Sequence, residues 1–362
     1  MRVGLIGVGW GELVHAPAFR AVDGYDLVAL CSRNASRVSA AGERLGITDT
    51  STDWRDFVER DDLDLIVVAS PVELHHDMTI AALRAGKHVL CEKPLAISAE
   101  QAAAMVRAAD ESGKATAACF ELRWSADRLP VWDLVRGGYL GQPYFSRLVQ
   151  SAAYWHPSHK PQSAWMYDLS QGGGYLNGLV VHDIDFVCTM LGEPVAVSAE
   201  VRTTIPRRAM ADGTVVDVTA DDTAVLILRL DSGVVAELSA SVVGAHTAGW
   251  RLEAFGSDGT IVASGGRGPG AQLQVAQAAD DGLAPFDGEP REPLSRPDLP
   301  NRGSSAMVRA MALMLEDWLP AFSGQPSVAP SFRDGWRAAS VIEAARASAA
   351  GAGWVDIPSR PS

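Results

Sequence analysis

Short apolar runs alternate with stretches of helical period through the first third of this chain. Arg2 to Ile6, Leu27 to Cys31, Leu63 to Ala69, Val89 to Cys91 and Thr116 to Phe120 read as buried strands. Between them, helical spacing runs through His15 and Phe19 and over Trp54 to Arg60. It continues along Met78, Ala81, Ala82 and Ala85, closed by the C-cap signal of Gly86, and over Ala99 to Ser112. Strands that alternate with helices predict βαβ units and a parallel sheet.

Further along, the period changes to two. Thr223 to Leu230 puts Ala224, Leu226, Leu228 and Leu230 on one face. Asp231-Ser232-Gly233 turns, and Val234 to Val243 returns, which predicts a hairpin. Arg251 to Phe255 and Thr260 to Ala263 predict a second hairpin around Gly256-Ser257-Asp258-Gly259. Tyr144 to Tyr154 and Val195 to Thr204 read as further strands. Ser264 to Ser304 reads as an irregular excursion with one strand, Gln272 to Gln277. Met307, Ala310, Met311, Met314, Leu315 and Trp318 then share one helical face, and a last helix runs from Phe332 to Ala349. The expected fold class is α/β in residues 1–122, a dinucleotide-binding domain, followed by an α+β domain in residues 123–362 for substrate binding and oligomerisation.

The chain has 362 residues, is 47% hydrophobic, and carries a net charge of -13. That balance argues against nucleic acid and anionic membranes, which call for clustered Lys and Arg. Four scattered cysteines (Cys31, Cys91, Cys119 and Cys188) show no metal-ligand spacing, so they are expected to be reduced and no metal is expected. Met1 leads straight into the first strand, without the core of a secretory signal, and no apolar run is long enough to cross a bilayer. A cytoplasmic protein is expected.

The first strand ends in Gly7-Val8-Gly9-Trp10-Gly11 and a helix follows, the order of a dinucleotide fingerprint. Gly7 allows the tight turn and Gly9 lets backbone approach a pyrophosphate on the helix N-terminus. The third glycine falls at Gly11, whereas the template places it at Glu12, which would repel a pyrophosphate unless turned outward. The second strand ends in Ser32-Arg33-Asn34, without the acid that holds a ribose 2′-hydroxyl. Arg33 and Arg37 suit a 2′-phosphate, so NADP is favoured and NAD remains possible. The bland alternative is a pair of solvated charges. At Glu92-Lys93-Pro94 a buried strand stops sharply, and Pro94 restricts how Lys93 is presented.

Taken in order, these features resemble the Gfo/Idh/MocA family, the glucose-fructose oxidoreductase and inositol dehydrogenase group. The residues that carry the likeness are the glycine turn with His15, Ala69-Ser70-Pro71 with His75, and Ala85 to Leu95. Phe120-Glu121-Leu122-Arg123-Trp124, Gly172-Gly173-Gly174 through His182, and the tail from Ser340 to Pro358 complete it. The resemblance implies a Rossmann domain and a second domain built on a large, open, mostly antiparallel sheet. It implies that Lys93 lies between nicotinamide and substrate, with Ser70, Pro71, His75 and Glu92 on the cofactor side. It also implies a homodimer or homotetramer paired through the large sheets.

Four residues before His182 the family pattern has Asp, and this chain has Gly178. Two before it the family has Gly, and this chain has Val180. Glu121 and Val72 stand where the family often has Asn. Removing a hydride from a carbinol carbon needs a group to take the hydroxyl proton. Lys93 can hold that oxygen or act as the base, and His182 titrates near neutrality. Tyr167, Asp168, Tyr175, Asp183 and Asp185 are candidates to replace the missing carboxylate. For Asp183 and Asp185 the plainer reading is helix-surface charge or hydrogen bonding to the sheet. Asn177 lies about 100° round the helix from position 178 and is not assumed to substitute. The expected substrate residues are Glu121, Arg123, Trp165, Tyr167, Asn177 and His182. An aromatic and basic run (Tyr154, Trp155, His156, His159, Lys160, Trp165, Tyr167) suits a sugar or cyclitol, or packs as a plain loop.

The first expectation is an NADP(H)-linked oxidoreductase acting on a secondary alcohol or ketone of a sugar-like substrate. The alternatives are a cofactor-binding regulatory or non-redox protein on the same scaffold, and a lyase or epimerase that recycles its cofactor.

Overall fold

The apolar runs of the first third become six parallel strands. The computed structural model describes residues 1–161, 163–265, 272–288 and 305–361. By contacts the chain divides into two units, one of Met1–Ser125, Glu292–Trp336 and Pro361–Ser362, the other of Ala126–Arg291 and Arg337–Arg360.

The first unit holds β1 (Arg2–Ile6), β2 (Asp26–Cys31), β3 (Thr50–Ser51), β4 (Leu65–Val68), β5 (His88–Cys91) and β6 (Thr116–Ala118) in the order β3-β2-β1-β4-β5-β6. Every pairing is parallel. The order reverses between β1 and β4, where an open α/β sheet forms its ligand crevice beyond the carboxyl ends. Helices α1 (Ala16–Ala21), α2 (Ala35–Leu45), α3 (Trp54–Val58), α4 (His75–Arg84) and α5 (Ala99–Ser112) make the crossovers. Their ends follow capping chemistry: the Asn34 and Ser98 side chains accept from Arg37 N and Gln101 N, and Gly46 and Gly113 close α2 and α5 with positive φ. β4 is buried throughout, as a strand covered on both faces must be.

The second unit begins with α6 (Leu129–Arg136) and β7 (Pro143–Ser151), then α7 (Val181–Leu191). After these come β8 (Pro194–Arg202), β9 (Arg207–Ala209), β10 (Val215–Asp217), β11 (Thr223–Leu230), β12 (Val235–Ser241), β13 (Trp250–Gly256), β14 (Gly259–Gly265), β15 (Gln272–Gln277) and β16 (Ala284–Pro285). Near the end of the chain β17 (Val355–Asp356) joins β8. The nine-stranded order is β16-β15-β14-β13-β7-β12-β11-β8-β17, and only β12 and β7 pair in parallel. β9 and β10 form a separate antiparallel hairpin.

Period two does what it predicts in β11, where Ala224, Leu226, Leu228 and Leu230 are buried while Val225 and Ile227 are exposed. Burying each leucine is worth about 1.5–3 kcal/mol, enough to fix the register, since a one-residue slip would expose all of them. α7 packs against β7 and β12. The opposite face carries Val225, Ile227, Val235 and Phe255 outward among charges such as the Arg147–Glu237 pair at 2.9 Å.

The methionine stripe lies on α8 (Ser305–Trp318), with Met311, Met314, Leu315 and Trp318 buried. α8 packs on α1 in the first unit, although it follows the second unit's strands in the chain. The Tyr25 hydroxyl donates to Leu315 O at 2.8 Å, and Trp124 Nε1 donates to Asp317 at 2.8 Å. The unit boundary falls inside α9 (Phe332–Ala347). The expected strand at Gln272 to Gln277 is β15. Of the rest of the Ser264 to Ser304 excursion, residues 266–271 and 289–304 lie outside the described residues. All four cysteines are buried, and none of them is in a disulfide. Among the described residues no helix is long and apolar enough to cross a membrane.

Candidate active site

The three glycines after β1 meet different surroundings. Gly7 has φ +108, and a Cβ there would lie 2.1 Å from Ala69 O at the end of β4. Only glycine allows that approach. A Cβ on Gly11 would meet the Leu5 side chain at 3.1 Å, so Gly11 supplies the close helix-to-strand packing of a third glycine one residue early. A π turn over Gly11–His15 accompanies the shift. Glu12 is held aside by Arg44, whose guanidinium grips both carboxylate oxygens. A Cβ on Gly9 would meet nothing within 4 Å. No protein atom requires glycine there, which fits a group from outside resting on this backbone. Val8 is buried and Trp10 is exposed.

Ser32, Arg33 and Arg37 follow β2, and both arginines are exposed. Arg37 lines an open depression of about 270 Å³ with Val8, Glu12, Ser36, Ala40 and Arg44. No acid stands directly after β2.

Lys93 leaves the carboxyl end of β5 through a cis peptide to Pro94. Two buried histidines brace this end. His15 Nε2 lies 2.7 Å from Glu92 Oε1, and Glu92 Oε2 accepts from Lys93 N at 3.0 Å. Burial pushes the Glu92 carboxyl up, but the His15 hydrogen bond and charge and the Lys93 charge outweigh it and hold it below the usual range. His75 faces Pro94 O through Nδ1 and Ser70 O through Nε2, each at 3.0 Å. It ties the ends of β4 and β5 together, and burial lowers its pKa. Glu92 and His75, both expected on the cofactor side, are thus buried supports of Lys93 and of the Ser70-Pro71 loop. His15, Glu92 and Cys119 bring ligand-type atoms within 4.8 Å of one another. Burial pushes the Cys119 thiol well up, which disfavours the thiolate a metal needs.

Glu121 and Arg123 lie on a short turn after β6 and are buried. Arg123, expected at the substrate, pairs with Asp334 at 3.0 Å.

In the second unit, the Gly172–Gly174 turn leads into a π turn at Leu176–Val180 and then α7. A Cβ on Gly173 would strike Met166 O at 2.6 Å, and Gly174 has φ +112 against Asp221. Asp221 Oδ2 accepts from Leu176 N at 2.7 Å and anchors the start of the turn. Asn177, an expected substrate residue, donates to Gly172 O and Gly173 O at 3.0 and 3.2 Å. It pins the glycine turn and is no stand-in for the carboxylate. Among the described residues a Cβ on Gly178, where Asp was expected from the resemblance, would meet nothing within 4 Å. His182 is buried on the first turn of α7.

Of the two plain readings of Asp183 and Asp185, helix-surface charge or hydrogen bonding to the sheet, the first is corrected: both are fully buried. Asp183 pairs with Arg128 at 2.5 Å, and Arg128 also lies over the Phe186 and Trp250 rings. Asp185 lies 3.5 Å from Arg337, which also binds Glu193 and Thr189 at 2.7 and 2.9 Å. These pairs hold α7 in place. Asp168 is half-buried and accepts from Ser170 and Gln171, which hold its carboxyl low.

The aromatic run splits into an exposed part and a buried part. Tyr154 and Trp165 are exposed, while Trp155, Tyr167 and Tyr175 are buried. The Trp155 and Tyr167 rings meet edge-on at 4.8 Å. Arg208 of β9 lays its guanidinium over both, 5.6 Å from Trp155 and 5.0 Å from Tyr167. Arg208 is 4% exposed, and its Nε and Nη2 have no hydrogen-bond partner among the described residues. Each buried N–H left without an acceptor costs about 1–3 kcal/mol, and a desolvated ring returns about 2 kcal/mol. The sequence reading missed this residue. The signal available was Asp212-Gly213, a hairpin turn pair between two short β-type runs.

A parallel sheet that reverses between β1 and β4, with a glycine turn at that point, defines a dinucleotide-fold protein. Residues 1–120 match the oxidoreductase family with an NAD-binding Rossmann fold, and residues 130–262 match the GFO/IDH/MocA C-terminal domain. The chain belongs to the Gfo/Idh/MocA oxidoreductase family. It is 29% identical to levoglucosan dehydrogenase of Pseudarthrobacter phenanthrenivorans, over 99% of this chain and 98% of that protein. It is 27% identical to myo-inositol 2-dehydrogenase of Thermotoga maritima, over 73% and 75%. A solved levoglucosan dehydrogenase complex with NADH aligns over 99% of both chains with a TM-score of 0.86 and 27% identity.

Proposed function

We propose that this protein is an NADP(H)-dependent oxidoreductase that moves a hydride between nicotinamide and a secondary alcohol or ketone of a sugar-like or cyclitol substrate. The observation that carries the reading is the bracing of Lys93. Two buried histidines and a carboxylate fix the strand end that bears it, on the same sheet edge as the glycine turn. The relatives, named as dehydrogenases of levoglucosan and inositol, support the substrate class. In this reading residues 1–122 bind the cofactor, with Gly7, Val8, Gly9, Trp10 and Gly11 under the pyrophosphate, and the rest of the chain serves substrate and oligomer.

The nicotinamide, when bound, accepts or gives the hydride. Lys93 holds the carbinol oxygen with its ammonium, and His182 takes or returns the hydroxyl proton. Glu121, Trp165 and Tyr167 contribute to substrate binding. NADP is preferred over NAD because Arg33 and Arg37 follow β2 where an acid would otherwise select the ribose 2′-hydroxyl. The apolar, mixed-charge face of the nine-stranded sheet, with Val225, Ile227, Val235 and Phe255, pairs copies into a homo-oligomer in the cytoplasm.

The test is nicotinamide absorbance during a screen of polyols with NADP and NAD in parallel. Turnover with NADP at least about tenfold more efficient than with NAD is expected, which is 1.4 kcal/mol of discrimination. An Arg33→Ala/Arg37→Ala protein should lose that preference. Equal use of both cofactors, unchanged in the double variant, removes the NADP assignment.

A second reading is favoured by one observation: among the described residues a Cβ built on Gly178 would meet nothing within 4 Å. A protein that binds cofactor but lacks an acid-base partner would act as a regulator. Bound NADPH whose signal never changes with any sugar or ketone would mark it.

A further inference from the structure

We propose that Arg208 and Tyr167 form a recognition site for a carboxylate on the substrate, so that the preferred substrate class is a polyhydroxy acid. The inference rests on the function proposed above and specifies its substrate.

Arg208 carries a charge that the protein does not neutralise by contact. Among the described residues it makes no ion pair and no hydrogen bond, and its Nε and Nη2 are buried. The carboxylate that influences it is Asp222, whose oxygens are already taken by Thr204 N at 2.8 Å and Ile205 N at 2.9 Å. The surroundings are otherwise aromatic: Trp155 and Tyr167 lie under the guanidinium, and Tyr175 lies beside Trp155 at 6.5 Å. The Tyr167 hydroxyl has no hydrogen-bond partner among the described residues, and it feels the Arg208 charge. A planar cation and a phenol thus stand together with unused donors against an aromatic wall. A guanidinium fork matches a carboxylate in geometry and charge, and a site shut off from water leaves that attraction unscreened.

The position also fits a substrate site. Tyr167 O accepts from Thr219 N and Ala220 N, and Met166 O accepts from Gly174 N. The aromatic floor is therefore tied to the glycine turn that begins the π turn and, after it, α7 with His182. A structural role for Arg208, as a cation that only glues two rings, predicts no dependence on the ligand's charge.

The experiment uses the full chain with saturating NADP and two probes, D-glucuronate and its neutral methyl ester, by isothermal titration. The acid should bind at least about tenfold tighter than the ester, the scale of one charge-assisted contact. Arg208→Met should bring the two within about twofold, with near-ultraviolet circular dichroism reporting whether the fold is kept. Tyr167→Phe, which removes only a hydroxyl, should cut the acid preference about threefold and guards against misfolding of the first variant. Equal affinity for acid and ester, no binding of the acid, or a preference untouched by both variants overturns the proposal. Hydride transfer is measured separately. Turnover of neutral polyols without any acid preference overturns this inference and leaves the oxidoreductase reading standing. An Arg208-dependent acid preference without turnover does the reverse.

Discussion

The two glycine turns of this chain can be set side by side. At Gly7–Gly11 two glycines are explained by the protein: Gly7 by Ala69 O and a positive φ, Gly11 by Leu5. At Gly172–Gly178 three are explained the same way: Gly172 by a positive φ, Gly173 by Met166 O, Gly174 by Asp221 and a positive φ. Each turn also has one glycine facing open space, Gly9 and Gly178. The closed glycines are required by the fold. The open ones are explained by function, in opposite ways. Gly9 fits backbone that a cofactor would lie against, and Gly178 stands where the sequence resemblance led to an expectation of Asp.

The comparison predicts different losses for closed and open positions. Gly7→Ala adds strain at positive φ and a clash with a carbonyl, and should destabilise the first unit by about 4 kcal/mol in urea unfolding. Gly174→Ala should approach that value in the second unit. If either is neutral, the division into closed and open glycines is wrong. Gly9→Val should leave the urea midpoint within about 0.5 kcal/mol of the parent while weakening NADPH binding about thirtyfold, close to 2 kcal/mol, by fluorescence titration. Unaltered binding would remove the reason for glycine there. Gly178→Asp should also fold normally and raise the rate of hydride transfer about a hundredfold, the low edge of what an acid-base partner supplies. A slower enzyme would mean that the open space is used by substrate.

The smallest effects concern acid. The folded state holds Glu92 below its usual pKa, so its contribution is present above about pH 4.3, the unfolded value. It is lost as pH falls through that value toward the folded one. Asp183 has the opposite sign: burial raises it despite Arg128, so its ionised form costs stability that returns as pH falls. Urea midpoints between about pH 6 and 3 should fall less steeply for Glu92→Gln than for the parent protein. For Asp183→Asn they should fall more steeply.

Much of the fold could be read from period alone. β11 and β12, the α8 stripe and the cap signal of Gly86 need only neighbours in sequence to be predicted. The shifted third glycine was visible as a departure, but that Gly11 does the packing needed the π turn. The partners of Asp183 and Asp185 were not legible, because Arg128 and Arg337 lie far away in the chain. Arg123 and Asn177 looked like substrate groups by type and place, yet each is bonded within its own unit, to Asp334 and to the glycine carbonyls. Arg208 was missed because β9 and β10 are too short to show a period.

The central claim is that the amine of Lys93, carried on a braced strand end, acts in hydride transfer. Its most direct measurement is single-turnover hydride transfer by Lys93→Met beside an equilibrium titration of NADPH. The account predicts cofactor affinity within about threefold of the parent and a transfer rate lower by at least about 10³. A variant that binds NADPH and transfers hydride at the parent rate would contradict it.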